Sequence, residues 1–322
     1  MLIPENFRRP VVFFNNGIGD HIIVLPALRA LSNIFSGRLS LIARHEAYTE
    51  IFSDIVFASV WFIEAFGSAG DRLMQKMGRE LAPFDHEALA EQASGCDLFI
   101  SLCSWTSPDL ERLIEKISPL VSVGFFPTFT HQLSDLSVNC FDTIFSVTHL
   151  FNAQLKIEDF SNPPPIAQKY LTLVHDLKFS NIENKILVVH TQTKQRKMWS
   201  SEIFLKTIDN FLSVHTDYIV IILGSFHDLP LDLAYYRQRI FDICGIPIGL
   251  SFALLSIADL FLGVDSCMLH AADLFRVPGV GIFGPTNPKK WGFRFAIHKH
   301  VTSDSIASIT SEEVIDALML FS

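Results

Sequence analysis

Four short stretches of the chain carry residues able to do chemistry. In Asn15-Asn16-Gly17-Ile18-Gly19-Asp20 a carboxylate follows two glycines, directly after the apolar run 11–14 and before a helical pattern. The glycines permit a tight strand-to-helix turn and close approach of backbone to a ligand. Ile22 stands where the dinucleotide-binding fingerprint needs its third glycine, so a turn that presents Asp20 is expected rather than a phosphate cradle. An aspartate there has two readings, helix cap or reactive carboxylate, and spacing alone leaves both open.

The second stretch runs from His190 to Trp199, after the apolar run 186–190. Lys194, Arg196 and Lys197 put three cations in four positions, with Thr191 and Thr193 adding hydroxyls. A diphosphate suits such a loop, since lysine offers a point charge and threonine a donor; the alternative is a solvated basic surface. The third is Gly263-Val264-Asp265-Ser266-Cys267-Met268-Leu269-His270. At a strand-to-helix turn the backbone N–H groups of 266–268 would open outward as an anion site, with Asp265 or Ser266 free to cap. His270, one turn inside, reads as a hydrogen-bonded structural residue. Cys267 has no base beside it in sequence, so thiol chemistry is not expected. The fourth, Phe283-Gly284-Pro285-Thr286-Asn287-Pro288, reads by itself as a tight loop.

The elements that must position these stretches form an alternating series, which predicts α/β architecture with mainly parallel sheets. Strands are expected over 11–14, 39–43, 57–63 and 97–102, then over 186–190, 218–223, 259–264 and 280–283. Helices are expected over 25–35, 166–177, 201–214, 251–258 and 268–275, with a capped amphipathic tail at 310–321 whose Glu312 and Glu313 favour the helix dipole. Residues 125–160 give no clear pattern. Three consecutive prolines, Pro163-Pro164-Pro165, cannot donate hydrogen bonds and favour extended backbone, so they read as a stiff linker. The division predicted is 1–162 and 163–322, two doubly wound halves with a cleft at the carboxyl ends of their strands and a hinge at Pro163–Pro165. The last helix is allowed to pack back on the amino-terminal half.

Composition excludes several classes. A length of 322 residues favours two domains, and 49% hydrophobic against 18% charged residues rules out a disordered chain. A net charge of −9 argues against a general nucleic-acid binder. The amino terminus lacks a basic segment leading into an apolar core, so no signal peptide is expected. The longest charge-free runs, 117–134 and 243–258, contain Pro, Gly and polar residues and are not membrane helices. Five scattered cysteines without a C-x-x-C pair point to free thiols in a reducing compartment rather than disulfides or a zinc site.

Taken in order, the four stretches resemble the ADP-heptose–lipopolysaccharide heptosyltransferase family, glycosyltransferase family 9. The segment from Asn16 to Leu28 is similar to the family's S-x-G-D-x-x-x-x-x-P-A-L opening. His190 to Trp199 resembles its second-domain strand and K-x-W loop. Asp265 to His270 resembles D-[ST]-G-x-x-H, and Phe283 to Pro288 resembles [FY]-G-P-T-x-P. Two departures stand out: Cys267 occupies the signature glycine position, and Asn15 and Asn16 replace small hydroxyl residues.

The resemblance implies a GT-B fold of two facing Rossmann-like domains, the first binding acceptor and the second the nucleotide sugar. It also implies inverting, metal-independent transfer of a sugar, a heptose from ADP-heptose, to a glycan, lipid-linked or other hydroxyl acceptor. In that reading Asp20 is the general base and Lys197 holds the donor diphosphate. Thr193, Asp265, Ser266, Cys267, Met268 and His270 lie on the donor side, and Asn16, Gly17 and Gly19 on the acceptor side. No cofactor or metal is implied, and the nucleotide sugar enters as substrate. The expected setting is a cytoplasmic monomer, with a peripheral position at the inner membrane allowed. Two alternatives stay open: a catalytically impaired nucleotide-sugar-binding protein, and a GT-B-like epimerase or hydrolase.

Overall fold

Apolar runs too short for helices and too continuous for half-exposed strands become the strands of two parallel sheets. The structure, a computed structural model, describes residues 3–4, 6–43, 50–63, 85–136, 138–176, 184–227, 229 and 239–322. It divides into two compact units, Met1–Ser137 with Phe141–Ser161, and Val138–Cys140 with Asn162–Ser322.

The first unit holds β1 (Pro10–Phe14), β2 (Ser40–Ala43), β3 (Val60–Phe62), β4 (Leu98–Ser101), β5 (Val121–Gly124) and β6 (His131–Gln132). They lie in the order β3-β2-β1-β4-β5-β6, every pair parallel. Strands β1, β2 and β4 are buried along their whole length, as a sheet covered on both faces requires. The helices are α1 (Ile18–Ile34), α2 (His86–Gln92), α3 (Pro108–Ile117) and α4 (Cys140–Phe145), the last crossing the division between units. Helix α1 begins at Ile18, not near Leu25 as expected. Gly17 is its N-cap in extended backbone (φ −69°, ψ 164°), and the apolar face continues through Ile22 and Ile23. Pro26 lies inside α1 and forfeits a helical hydrogen bond, at about 3 kcal/mol. Burial of every residue from His21 to Leu28 offsets it.

The second unit holds β7 (Lys185–His190), β8 (Tyr218–Leu223), β9 (Ile240–Asp242), β10 (Leu260–Val264), β11 (Gly279–Phe283) and β12 (His298–Thr302), in the order β12-β11-β10-β7-β8-β9 and again all parallel. Its helices are α5 (Gln168–Asp176), α6 (Ser201–Val214), α7 (Ile248–Leu255), α8 (Cys267–Leu274), α9 (Pro288–Trp291) and α10 (Ser311–Leu318). Helix α7 starts three residues earlier than expected, on Pro247, whose fixed φ suits a helix entrance. Leu177, the last residue of the helix expected at 166–177, lies outside the described residues. Helix α10 is closed by a capping box between Thr310 and Glu313. Val314, Ala317 and Leu318 join the core of their own unit, against α6, β11 and β12. Strands β9 and β12 were not anticipated. Of the five residues of β12 only Val301 is buried, so this edge strand lacks the apolar run that betrays an inner one.

Both sheets reverse their winding once, between β1 and β4 in the first and between β7 and β10 in the second. Such a switch point splays the loops that leave neighbouring carboxyl ends, and open α/β sheets bind ligands there.

Candidate functional site

In the second unit the switch point brings together two of the stretches singled out by sequence. Register pairs His190 at the end of β7 with Gly263 on β10, so the loop after His190 and the turn after Val264 leave the sheet side by side. They are joined by side chains. Lys197 Nζ donates to Asp265 Oδ2 at 2.8 Å, with side chains 15% and 5% exposed. Thr193 Oγ1 donates to the Asp265 carbonyl at 2.7 Å. The other two cations, Lys194 and Arg196, are exposed, so the solvated reading describes them and only Lys197 turns inward.

Asp265 leads into α8, whose N-cap is Ser266. Ser266 Oγ does not cap: it lies 3.2 Å from His190 Nδ1, and the N-cap side chain makes no bond to the first turn of α8. A helix entrance without a side-chain cap presents N–H donors met only weakly and the positive end of its dipole. Burial lowers the pKa of His190 to about 4, so its ring is neutral at pH 7. His270 is also lowered to about 4; burial is the main cause, Asp265 opposes it and Lys197 adds to it. The Cys267 thiol is pushed up to about 11, chiefly by desolvation, with its own helix amides and Lys197 pulling the other way. It is a thiol at neutral pH. Cys267 is the first residue of α8, and positive φ among described non-glycine residues is confined to Ser36, Ser118 and Arg276. The missing signature glycine therefore imposes no backbone strain.

Sequence reasoning passed over Gln192 and Thr286. Gln192 is buried, and its Oε1 accepts from Ser225 N at 2.7 Å and Ser225 Oγ at 2.8 Å, while its Nε2 donates to the Phe226 carbonyl. This locks the β7 loop to the β8 loop. A Cβ on Gly224 would lie 2.6 Å from the Gln192 amide, so the lock requires glycine there. Thr286 follows β11, which pairs with β10 up to Ile282↔Val264. Its Oγ1 is buried with no hydrogen-bond partner among the described residues, on the loop that leaves the neighbouring strand.

In the first unit the loops after β1 and β4 flank the other switch point. Asp20 is the third residue of α1 and half-buried. It does not cap the helix, since Gly17 is the N-cap and no side-chain cap bond forms. Its Oδ2 lies 3.8 Å from where a Cβ on Gly17 would sit, so the carboxylate folds back over the exposed turn. It is close enough to the β4 loop to raise the pKa of the buried Cys103 thiol, which desolvation pushes up to about 12. His21 Nδ1 lies 2.8 Å from the Gly17 carbonyl; a carbonyl only accepts, so that nitrogen carries the proton and pins the turn from the buried side. Asn16 Oδ1 accepts from Trp105 Nε1, and the Trp105 ring stands edge-on to Phe13. Trp105 was not singled out by sequence. An isolated tryptophan after a strand carries no local signal of the loop it will meet 89 positions away.

Comparisons with known proteins converge. The family model Glycosyltransferase family 9 (heptosyltransferase) matches residues 150–313. No curated protein matches the chain. Among solved structures, a glycosyltransferase family 9 protein from Veillonella parvula DSM 2008 superposes with a TM-score of 0.77 at 17% identity, covering 99% of this chain and 98% of that one. The E. coli heptosyltransferase WaaC with ADP gives 0.70 at 13% identity, covering 98% and 100%. E. coli ADP-heptose LPS heptosyltransferase II gives 0.69 at 13%, covering 97% and 98%. At these identities the likenesses establish the fold, two doubly wound sheets of the GT-B type. Among the described residues no helix is long and apolar enough to cross a membrane.

Proposed function

The chain belongs to glycosyltransferase family 9 (heptosyltransferase), a glycosyltransferase that draws on a nucleotide-sugar donor, and from that premise we propose that it transfers a heptose from an ADP-linked donor, with inversion and without a metal, to a hydroxyl of a glycan or lipid-linked acceptor. The observation that carries this reading is the second-unit switch point, where Lys197 stands over the uncapped entrance of α8. A diphosphate needs a cation and unspent N–H donors, and both meet there in a half-buried setting that strengthens them. Lys197, paired with Asp265 while no donor is bound, is free to turn its ammonium to the phosphate oxygens and offset the charge that grows on the leaving nucleotide. Thr193, Ser266, the amides of Cys267 and Met268, and Thr286 complete the donor side. His270 packs beneath the turn.

Asp20 takes the acceptor's hydroxyl proton as the oxygen attacks the anomeric carbon from the face opposite the leaving diphosphate. Asn16, Gly17 and Gly19 line that turn, with Gly17 keeping its surface open. We place the protein in the cytoplasm, acting as a monomer in lipopolysaccharide assembly. The alternative of a catalytically impaired binding protein rests on Cys267, whose side chain narrows the phosphate pocket; its helical backbone at least carries no strain.

The test is Asp20→Asn and Lys197→Ala assayed with ADP-heptose and core-oligosaccharide acceptors, with product anomer read by NMR. Asp20→Asn is expected to abolish transfer while ADP still binds, and Lys197→Ala to weaken both. Near-normal turnover by both variants would remove the assigned roles. Donor conversion without acceptor would indicate an epimerase or hydrolase instead.

A further inference from the structure

Away from the donor turn, the far edge of the second sheet gathers three metal-binding side chain types. Strand β9 lies parallel to β8, with Ile222 opposite Asp242. The pairing runs on past both strands, through Ile243 N to the Ile222 carbonyl at 3.0 Å and Gly245 N to the Gly224 carbonyl at 2.8 Å. Asp242 ends β9, and Cys244 stands in the turn that follows, which brings its thiol back beside the Asp242 carboxylate. The β8 loop then returns His227 to them. His227 Nδ1 lies 2.8 Å from Asp242 Oδ2, and one ligand atom each from His227, Asp242 and Cys244 lie within 4.8 Å of one another.

A second observation also points to a cation. Asp242 is largely buried, at 13% side-chain exposure, and its Oδ1 is buried with no hydrogen-bond partner among the described residues. With Oδ2 met by His227, the Oδ1 half of this largely buried carboxylate still lacks a donor or cation. His227, two-thirds exposed, leaves an approach from solvent.

We propose that His227, Asp242 and Cys244 form a zinc site with three protein ligands and an open fourth position. Thiolate, imidazole and carboxylate together favour a borderline-soft ion over magnesium or calcium. Bonds of about 2.0–2.3 Å to a tetrahedral ion set ligand atoms roughly 3.3–3.8 Å apart, so the trio needs only to draw in around Cys244 and open the His227–Asp242 contact. On binding, the Cys244 thiol releases its proton to solvent. The His227 ring proton moves from Nδ1 to the solvent-facing Nε2, and Nδ1 and a carboxylate oxygen turn to the metal. The ion acts as a brace. His227 adjoins Phe226, whose carbonyl Gln192 holds, so fixing His227 steadies the same β8 loop that Gln192 ties to the donor loop. The proposal stands apart from the transfer chemistry, since it assigns the metal no contact with donor or acceptor.

The full-length protein, stripped with chelator, is titrated with Zn2+ by calorimetry and with Co2+ by absorption. About one equivalent of zinc is expected, with a thiolate-to-cobalt charge-transfer band and tetrahedral cobalt absorption. Cys244→Ser, a one-atom change, is expected to abolish the band and to weaken zinc by more than the roughly 10–100-fold that an outer-shell change brings. Asp242→Asn should weaken zinc while keeping the band. Absence of zinc binding, a cobalt spectrum without the thiolate band, or zinc bound equally by Cys244→Ser would each overturn the proposal. The cobalt spectrum of the unmodified chain decides the matter even if a variant fails to fold.

Discussion

Replacing Lys197 by alanine should damage the protein in two separable ways. The Lys197–Asp265 pair closes at 2.8 Å with side chains 15% and 5% exposed. Removing one partner of a buried pair costs about 3–5 kcal/mol, because the other charge is left uncompensated. The modest exposure of Lys197 lets water reach the remaining carboxylate, so the lower end, about 3 kcal/mol, is expected. For a unit of this size that is roughly 6–12 °C in Tm. The double variant Lys197→Ala/Asp265→Asn should recover most of the loss, since the stranded charge is then absent. Donor affinity should not recover: one charge-assisted bond to phosphate is worth about 1.5–3 kcal/mol, or roughly 10- to 150-fold in the Kd for ADP. The assay is a double-mutant cycle by urea unfolding, with calorimetric ADP titration of each variant. Trp199 is a suitable fluorescent reporter, being buried two residues away, edge-on to Phe204 and bonded to the Ile309 carbonyl. A loss below about 1 kcal/mol with unchanged ADP affinity would refute the reasoning. An equal loss in the single and double variants would show that the pair was not what stabilised the turn.

Three further outcomes follow from the same geometry. Cys267→Gly should fold normally, at a cost no greater than about 1 kcal/mol of helix propensity, and should bind ADP at least as tightly by widening the α8 entrance; weaker binding would mean that the thiol itself contacts the donor. Stability of the second unit should fall as pH drops from 6.5 toward 4. His190 and His270 are lowered to about 4, so in that window the unfolded chain binds protons that the fold refuses, costing about 1.4 kcal/mol per pH unit for each histidine; above pH 6.5 the contribution is complete, and His270→Gln should flatten the urea-midpoint profile measured from pH 7.5 to 5. Trp105→Phe keeps an aromatic ring against Phe13 but deletes the bond to Asn16. It should cost about 1 kcal/mol of stability and lower kcat more than the KM for donor, a split that steady-state kinetics at saturating donor would reveal.

Much of the architecture was legible because long inner parallel strands announce themselves; β5, inner but only four residues long, did not. Val11 to Phe14, Tyr218 to Leu223 and Leu260 to Val264 are unbroken apolar runs bounded by turn residues, and buried strands need nothing more. Edge elements escaped for the converse reason: β12 and β6 present polar residues to solvent and resemble loops. The entrance of α1 was set too late because Gly17 and Gly19 read as a turn, whereas buried Ile22 and Ile23 extend the helix back through Gly19 to its N-cap at Gly17.

By itself the sequence determined which residue types stand at the ends of which strands: Asp20 after the first, the Lys197 loop after the seventh, and the Asp265–Cys267 turn after the tenth. Those are local facts, set by hydrophobic period and by the turn chemistry of Gly, Asp and Ser. Tertiary structure decided which ends are neighbours. Strand order made Lys197 and Asp265 partners across 68 positions, chose Lys197 over Lys194 and Arg196, joined Trp105 to Asn16, and set His227 beside Asp242 and Cys244. No window of sequence contains such pairings. They follow from the cooperative packing of whole sheets, in which each strand's place depends on the area buried by all the others.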